Sequence, residues 1–194
     1  MYLNIQYRYN GKHYFYFNMQ TGLSMKYSII LMTLMTILFT TWAQASGRVP
    51  FGHQVIEVQN YSRATEQIAI SGMISDGGTQ ALAATGFKTV IDLRTKNEGT
   101  AEEKALVDRA GMMYFNIPTT VAGITREQVA EFTKIIESAQ KPALIHCGSG
   151  NRASAMWASY RITQGVEPEA AIEEARKMGL RPPLEEKLRE IMLN

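Results

Sequence analysis

The sequence predicts an α/β fold: one three-layer domain with a central, mostly parallel sheet and a helical C-terminus. Three observations carry this expectation. KTVIDL (88–93), MYFNI (113–117) and PALIHC (142–147) are short apolar runs of strand length. The segments between them have helical spacing and helix start and stop signals. Strand, helix, strand, helix, strand calls for parallel pairing through right-handed crossovers.

Taken in order, the apolar residues from 54 to 71 partly alternate (Val55, Val58, then Ile68, Ile70), which predicts one or two short strands. TQALAAT before Gly86 reads as a short helix with a glycine stop. KTVIDL follows as a strand. Thr100 and Glu103 have the spacing of a capping box, Ala105, Leu106 and Ala110 share a helical face, and Gly111 can end that helix. MYFNI is the next strand. Thr125 and Gln128 repeat the capping-box spacing, and Val129, Phe132, Ile135, Ile136 and Ala139 form an apolar stripe leading to PALIHC. Beyond Arg152, Ala153, Met156, Trp157 and Tyr160 mark a helix ending near Gly165. Pro168 opens another that Gly179 stops, and Pro182 or Pro183 opens the last.

The first 45 residues read differently. Lys26, the apolar run 27–39 and the small residues Ala43, Gln44 and Ala45 have the layout of a secretory signal starting at Met25. The run is shorter than the roughly 20 residues a bilayer-spanning helix needs, so cleavage after Ala45 is expected, leaving no stable membrane anchor. Residues 1–24 are rich in aromatics without helical or strand period and read as an upstream extension. The remaining segment, 46–194, has about 150 residues, enough for one domain with its own core. Arg8, Lys12 and Lys26 are the charges of the first 45 residues, so 46–194 is slightly acidic, against +2 for the whole chain. That leaves no basic footprint for nucleic acid. The expected location is outside the cytoplasm, in the periplasm. There the single cysteine, Cys147, has no partner within the chain.

Cys147 ends an apolar strand and is followed by Gly148, Ser149, Gly150, Asn151 and Arg152. Ligands of open parallel sheets bind beyond the carboxyl ends of the strands. A loop there that feeds a helix can turn its amides inward and add the positive end of the helix dipole, which suits an oxyanion. The same field favours the thiolate, the nucleophilic form of cysteine. Gly148 and Gly150 allow close approach of the backbone, and Arg152 offers a planar fork matching two oxygens of a phosphate. His146 reads as a strand-end residue that orients the loop, and three histidines in the whole chain supply no zinc set.

SGMISDGGTQALAATGFKTVIDLR (71–94), NIPTT (116–120) and HCGSGNR (146–152) resemble the cysteine-dependent protein tyrosine and dual-specificity phosphatases, in particular the bacterial phosphatase-like family named after beta-lactamase hydrolase. The resemblance implies a phosphatase fold and attack of Cys147 on phosphorus to form a cysteinyl-phosphate. Arg152 and the loop at Gly148, Ser149, Gly150, Asn151 and Ala153 would hold the phosphoryl oxygens, with no metal or cofactor. The substrate would be a phosphorylated protein or a small phosphoester.

Three departures stand out. Only four residues separate Cys147 from Arg152, where common phosphatases have five. Ala153 replaces the usual hydroxyl residue, with Ser154 one place later. PTTVAGIT (118–125) lacks the aspartate that dual-specificity phosphatases carry after the strand matching MYFNI. The candidate general acids are Asp92 first, then Glu98 and Asp76. Two other readings compete: a rhodanese-like sulfurtransferase with a persulfide on Cys147, suggested by the short loop and VIDLR (90–94), and a non-catalytic phosphate-binding module.

Overall fold

The computed structural model describes Gln6–Tyr9, Lys12–Phe15 and residues 57–193. The chain divides into two compact units, Met1–Arg48 and Val49–Asn194. In the first, β1 (Gln6–Tyr9) and β2 (Lys12–Phe15) pair antiparallel, with Gln6 opposite Phe15 and Tyr9 opposite Lys12. This corrects the reading of residues 1–24 as having no strand pattern. Asn10 and Gly11 separate the strands, a pair that strongly favours hairpins, and aromatic residues favour the pleated backbone. The signal-like residues 25–45 lie outside the described residues.

The second unit holds a five-stranded sheet in the order β3-β4-β7-β5-β6, made of β3 (Ser62–Arg63), β4 (Ile68–Ser71), β5 (Thr89–Asp92), β6 (Met113–Asn116) and β7 (Ala143–His146). β4, β7, β5 and β6 are parallel, and only the edge strand β3 is antiparallel. The helices are α1 (Gly78–Ala84), α2 (Thr100–Arg109), α3 (Arg126–Ser138), α4 (Asn151–Thr163), α5 (Pro168–Lys177) and α6 (Pro182–Leu193). Among the described residues no helix is long and apolar enough to cross a membrane.

Alternation along each strand sorts the core into two halves. Ile68, Ile70, Ile91, Ile145 and Cys147 face one half with Val129, Phe132 and Ile136 of α3 and Met156 of α4. Ala69, Val90 and Leu144 face the other, with Leu82 of α1 and Val107 of α2. The central strands are buried on both sides, which is why their sequences read as continuous apolar runs. β7, last in sequence, inserts between β4 and β5, so its carboxyl end lies where the strand order reverses. That is the place where open α/β sheets bind ligands.

One predicted cap forms and one does not. Thr125 Oγ1 accepts from the Gln128 amide and Gln128 Oε1 accepts from the Thr125 amide, as the spacing implies. At α2 the N-cap is Gly99, in the left-handed region with φ 86°, and Thr100 is already helical. Glu103 turns into the protein instead, to a cluster of polar groups beneath the sheet end.

Candidate active site

β7 delivers Cys147 to the carboxyl end of the sheet, and α4 begins four residues later at Asn151. The loop between is shaped from outside. Gly148 O accepts from the Met73 amide at 3.2 Å, and Ser149 O accepts from Asn60 Nδ2 at 3.1 Å. A planar trans peptide points its C=O and the next N–H in opposite directions, so the amides of Ser149 and Gly150 are turned inward. The second is seen directly: Gly150 N–H donates to Cys147 Sγ at 3.2 Å. Gly150 has φ 91°, a conformation that suits glycine. Gly72 is required for a different reason: a side chain there would meet the Ser149 backbone at 3.1 Å.

Arg152, in the first turn of α4, is 7 % exposed and lies beside Cys147. Its Nη1 donates to Glu98 Oε2 (3.0 Å) and Thr119 O (2.8 Å), and its Nη2 donates to Glu98 Oε1 (2.6 Å). Glu98 therefore grips the end of the guanidinium. The side edge, Nε–H with the remaining Nη2–H, is left as a two-pronged donor of the kind that matches phosphate. The hydrogen bond with Arg152 pulls the Glu98 carboxyl down to about 2, so it is ionised at neutral pH. Glu98 is itself placed by the Lys96–Glu98 turn, where its Oε2 also accepts from the Thr95 amide and hydroxyl.

Asp92 does not fit the acid role given to it first. It is fully buried, with Oδ1 accepting from the Arg94 amide and Nε, and Oδ2 from Arg94 Nη2 and the Tyr114 hydroxyl. Burial alone would raise its pKa, but hydrogen bonds from Arg94 and Tyr114, together with the electrostatic effect of the neighbouring His146, outweigh it and hold the carboxyl below its usual range. It has neither a path nor a proton to give. Alternation explains the placement: Asp92 and His146 point to the sheet face opposite Cys147. Asp76 is exposed in the turn after β4, and no hydrogen bond or ion pair joins it to the 147–152 loop.

The hydroxyl substitution is equally definite. Ala153 is fully buried in the core, and Ser154 Oγ donates to Met178 O at 2.8 Å, turned away from the thiol. Among the described residues the hydrogen-bond donor at Sγ is the Gly150 amide, with the Arg152 guanidinium as the neighbouring cation.

Sequence spacing missed the cluster that supports β7 from behind. Arg94 Nη2 bridges Asp92 Oδ2 (2.8 Å) and Glu103 Oε2 (2.6 Å), while His146 Nε2 lies 2.7 Å from Glu103 Oε1 and 3.5 Å from Asp92 Oδ1. The His146 to Glu103 approach is close but off the hydrogen-bonding axis, and His146 Nδ1 meets no hydrogen-bond partner among the described residues. Asp92, Glu103 and His146 have donor atoms near enough to hold a metal ion, but the Arg94 guanidinium already occupies the space between the two carboxylates. Asn116, from the NIPTT segment, donates to Asp92 O and Arg94 O and fastens the turn leading to Glu98. The one sequence signal for this cluster was the period of two in Asp92–Leu93–Arg94, which puts both charges on one face. A mainly apolar groove of about 480 Å³ runs along α3 to Met192 and shares no residue with the cradle.

Comparison with known proteins agrees with this architecture. The chain is 30% identical over 105 residues to the beta-lactamase hydrolase-like protein of Xylella fastidiosa (strain Temecula1), covering 52% of this chain and 24% of that protein. It is 29% identical over 120 residues to the protein of the same name from Agrobacterium fabrum, covering 59% and 28%. The chain thus spans about a quarter of the length of the curated relatives it matches. A DUF442 protein of Shewanella putrefaciens CN-32 superposes with a TM-score of 0.60 at 24% identity, covering 70% of this chain and 87% of that one. P. aeruginosa TpbA superposes with a TM-score of 0.58 at 22% identity, covering 70% and 84%. At these identities the structures share the fold. The family model described as DSP-PTPase phosphatase fused to NAD+ kinase matches residues 51–188, which include every strand of the second unit and the whole cradle. The chain belongs to this family of DSP-PTPase phosphatases.

Proposed function

We propose that the protein hydrolyses a phosphomonoester, of the tyrosine- or aryl-phosphate type, through a cysteinyl-phosphate on Cys147. The reading is supported above all by the loop itself: a thiol under the Gly150 amide, a second amide turned inward, and the free side edge of Arg152 beside it. Cys147 Sγ attacks phosphorus and forms an S–P bond as the P–O bond to the leaving group breaks. The inward amides and Arg152 hold the other phosphoryl oxygens, where fixed donors stabilise charge as it develops. Water then attacks phosphorus, and the S–P pair of electrons returns to sulfur.

Neither Asp92 nor Glu98 holds a proton near neutral pH, so the leaving oxygen departs as an anion or takes its proton from water. Phenolic leaving groups, stable as anions, suit that chemistry better than alkoxides. TpbA has been crystallised with phosphotyrosine, which supports an aryl phosphate by analogy of fold alone. We place this activity in the periplasm, on the strength of Lys26, the run 27–39 and the small residues before Ser46.

The test is release of phosphate from 4-nitrophenyl phosphate by the full chain, with thiosulfate-to-cyanide transfer assayed beside it. Loss of at least about a thousandfold in kcat on Cys147→Ser, the scale of removing a nucleophile, is expected. Sulfur transfer without phosphate release would favour the sulfurtransferase, and phosphate binding without either would favour a binding module.

A further inference from the structure

Met73 joins two walls of the cradle. It stands two residues past β4, where its amide donates to Gly148 O at 3.2 Å and its own carbonyl accepts from the Gln59 amide at 2.9 Å, so its main chain is pinned on both sides. The side chain crosses to the other wall, where Sδ accepts from Arg94 Nη1 at 3.6 Å. The same nitrogen donates to Glu98 O at 3.0 Å, and the Glu98 carboxylate grips Arg152 Nη2 at 2.6 Å. A thioether is a weak acceptor, so Nη1 gives its stronger bond to Glu98 O and the Lys96–Glu98 turn stays in place.

This sulfur is open to reagents. Met73 is 38 % exposed, whereas Cys147 is fully buried, as are Met112, Met156 and Met178 to within a few per cent. Among the described residues Met113 is the one methionine of similar exposure, and it opens β6, at the end of the sheet opposite the cradle.

We infer that Met73 is an oxidation site that disables the cradle: a hydroperoxide converts its thioether to the sulfoxide, which displaces Glu98 and with it Arg152. The distal peroxide oxygen passes to Sδ. A sulfur lone pair forms the S–O bond, the O–O bond breaks, and the remaining oxygen takes the proton and leaves as an alcohol, so that sulfur is oxidised by two electrons and the peroxide reduced by two. The sulfoxide offers Arg94 Nη1 a strong oxygen acceptor in competition with Glu98 O, and it adds an atom between the two walls. Reduction of the sulfoxide restores the thioether. The effect on turnover rests on the reading that the cradle hydrolyses a phosphomonoester.

The full chain is treated with tert-butyl hydroperoxide, then with dithiothreitol to reverse thiol oxidation, and is assayed on 4-nitrophenyl phosphate beside peptide mass mapping. Met73 and Met113 should each gain one oxygen, and kcat/KM should fall about tenfold, the scale of one hydrogen bond to a charged group. Methionine sulfoxide reductases of both epimer specificities should restore it. Met73→Leu should keep its own starting rate through the same treatment, while Met113→Leu should lose as much as the parent. Met73→Gln, which carries a strong acceptor without any oxidant, should be slow from the outset. Full oxidation of Met73 without loss of rate, a loss the reductases do not reverse, equal losses in the parent and Met73→Leu, or a Met73 left intact while Met113 is oxidised would overturn the inference. If the untreated chain releases no phosphate, the reading of the cradle has failed first, and the inference falls with it.

Discussion

Glu98 is the residue on which Arg152 depends. It occupies the end of the guanidinium and leaves the side edge free, so it fixes the plane in which a phosphoryl group is met. Glu98→Gln keeps the shape but puts an amide N–H₂ against a guanidinium N–H. Activity on 4-nitrophenyl phosphate should fall about tenfold in kcat/KM, the scale of one hydrogen bond to a charged group. The fall should exceed that of Thr95→Val, which removes only a supporting bond to Glu98. Equal losses would mean that Glu98 serves the turn rather than Arg152. The same carboxyl predicts a pH effect whose sign is fixed. Its folded pKa of about 2 lies below the ordinary 4.5, so its contribution to stability is complete above about pH 4.5 and is lost as pH falls towards 2. Asp92, also lowered, acts in the same direction. Urea midpoints measured from pH 7 down to pH 3 should therefore drop less steeply for Glu98→Gln than for the parent, and parallel curves would contradict the pairing.

At the scale of the element, α2 is held to the sheet by a polar contact that its pattern did not announce. Glu103, 6 % exposed, sits on Arg94 and His146, so the helix that links β5 to β6 also supports the strand ending in Cys147. Glu103→Ala leaves Arg94 with one carboxylate in place of two and should destabilise by about 3 kcal/mol, the lower end for breaking a buried ion pair. Glu103→Gln, which still offers an oxygen, should cost less. Thermal unfolding of the two variants separates this from a cap: a loss no larger than the ~1 kcal/mol of an ordinary N-cap would return Glu103 to the helix end. The contrast shows what was legible. β5, β6, β7 and all six helices were readable because their patterns are local, and Cys147 and Arg152 because one loop carries both. Glu98 reaches Arg152 across 54 residues and Glu103 meets His146 from another element, so no spacing rule could pair them. β3, with two residues, is too short to leave a period, and β1 and β2 alternate too little to show one, so their signal is the turn pair Asn10 and Gly11 alone.

For the molecule as a whole, the proposed export raises the question of how a protein with one cysteine would work outside the cytoplasm. Its second unit has no internal disulfide to lean on, and its stability rests on the two core halves packed against the sheet. Deep placement of Cys147, fully buried under the Gly150 amide, also keeps the thiol from bulky oxidants and from other chains. Export would thus require no change in how the unit folds, only removal of what precedes it. Produced with its full N-terminus in a bacterium that secretes through a signal peptidase, the protein should appear in the periplasmic fraction with Ser46 as its first residue, by intact mass and N-terminal sequencing. Its unfolding midpoint there should be the same with and without dithiothreitol, since no bond within the chain can be reduced. Recovery of the whole 194-residue chain in the membrane fraction would make the 27–39 run an anchor, and recovery in the cytoplasm would remove export altogether.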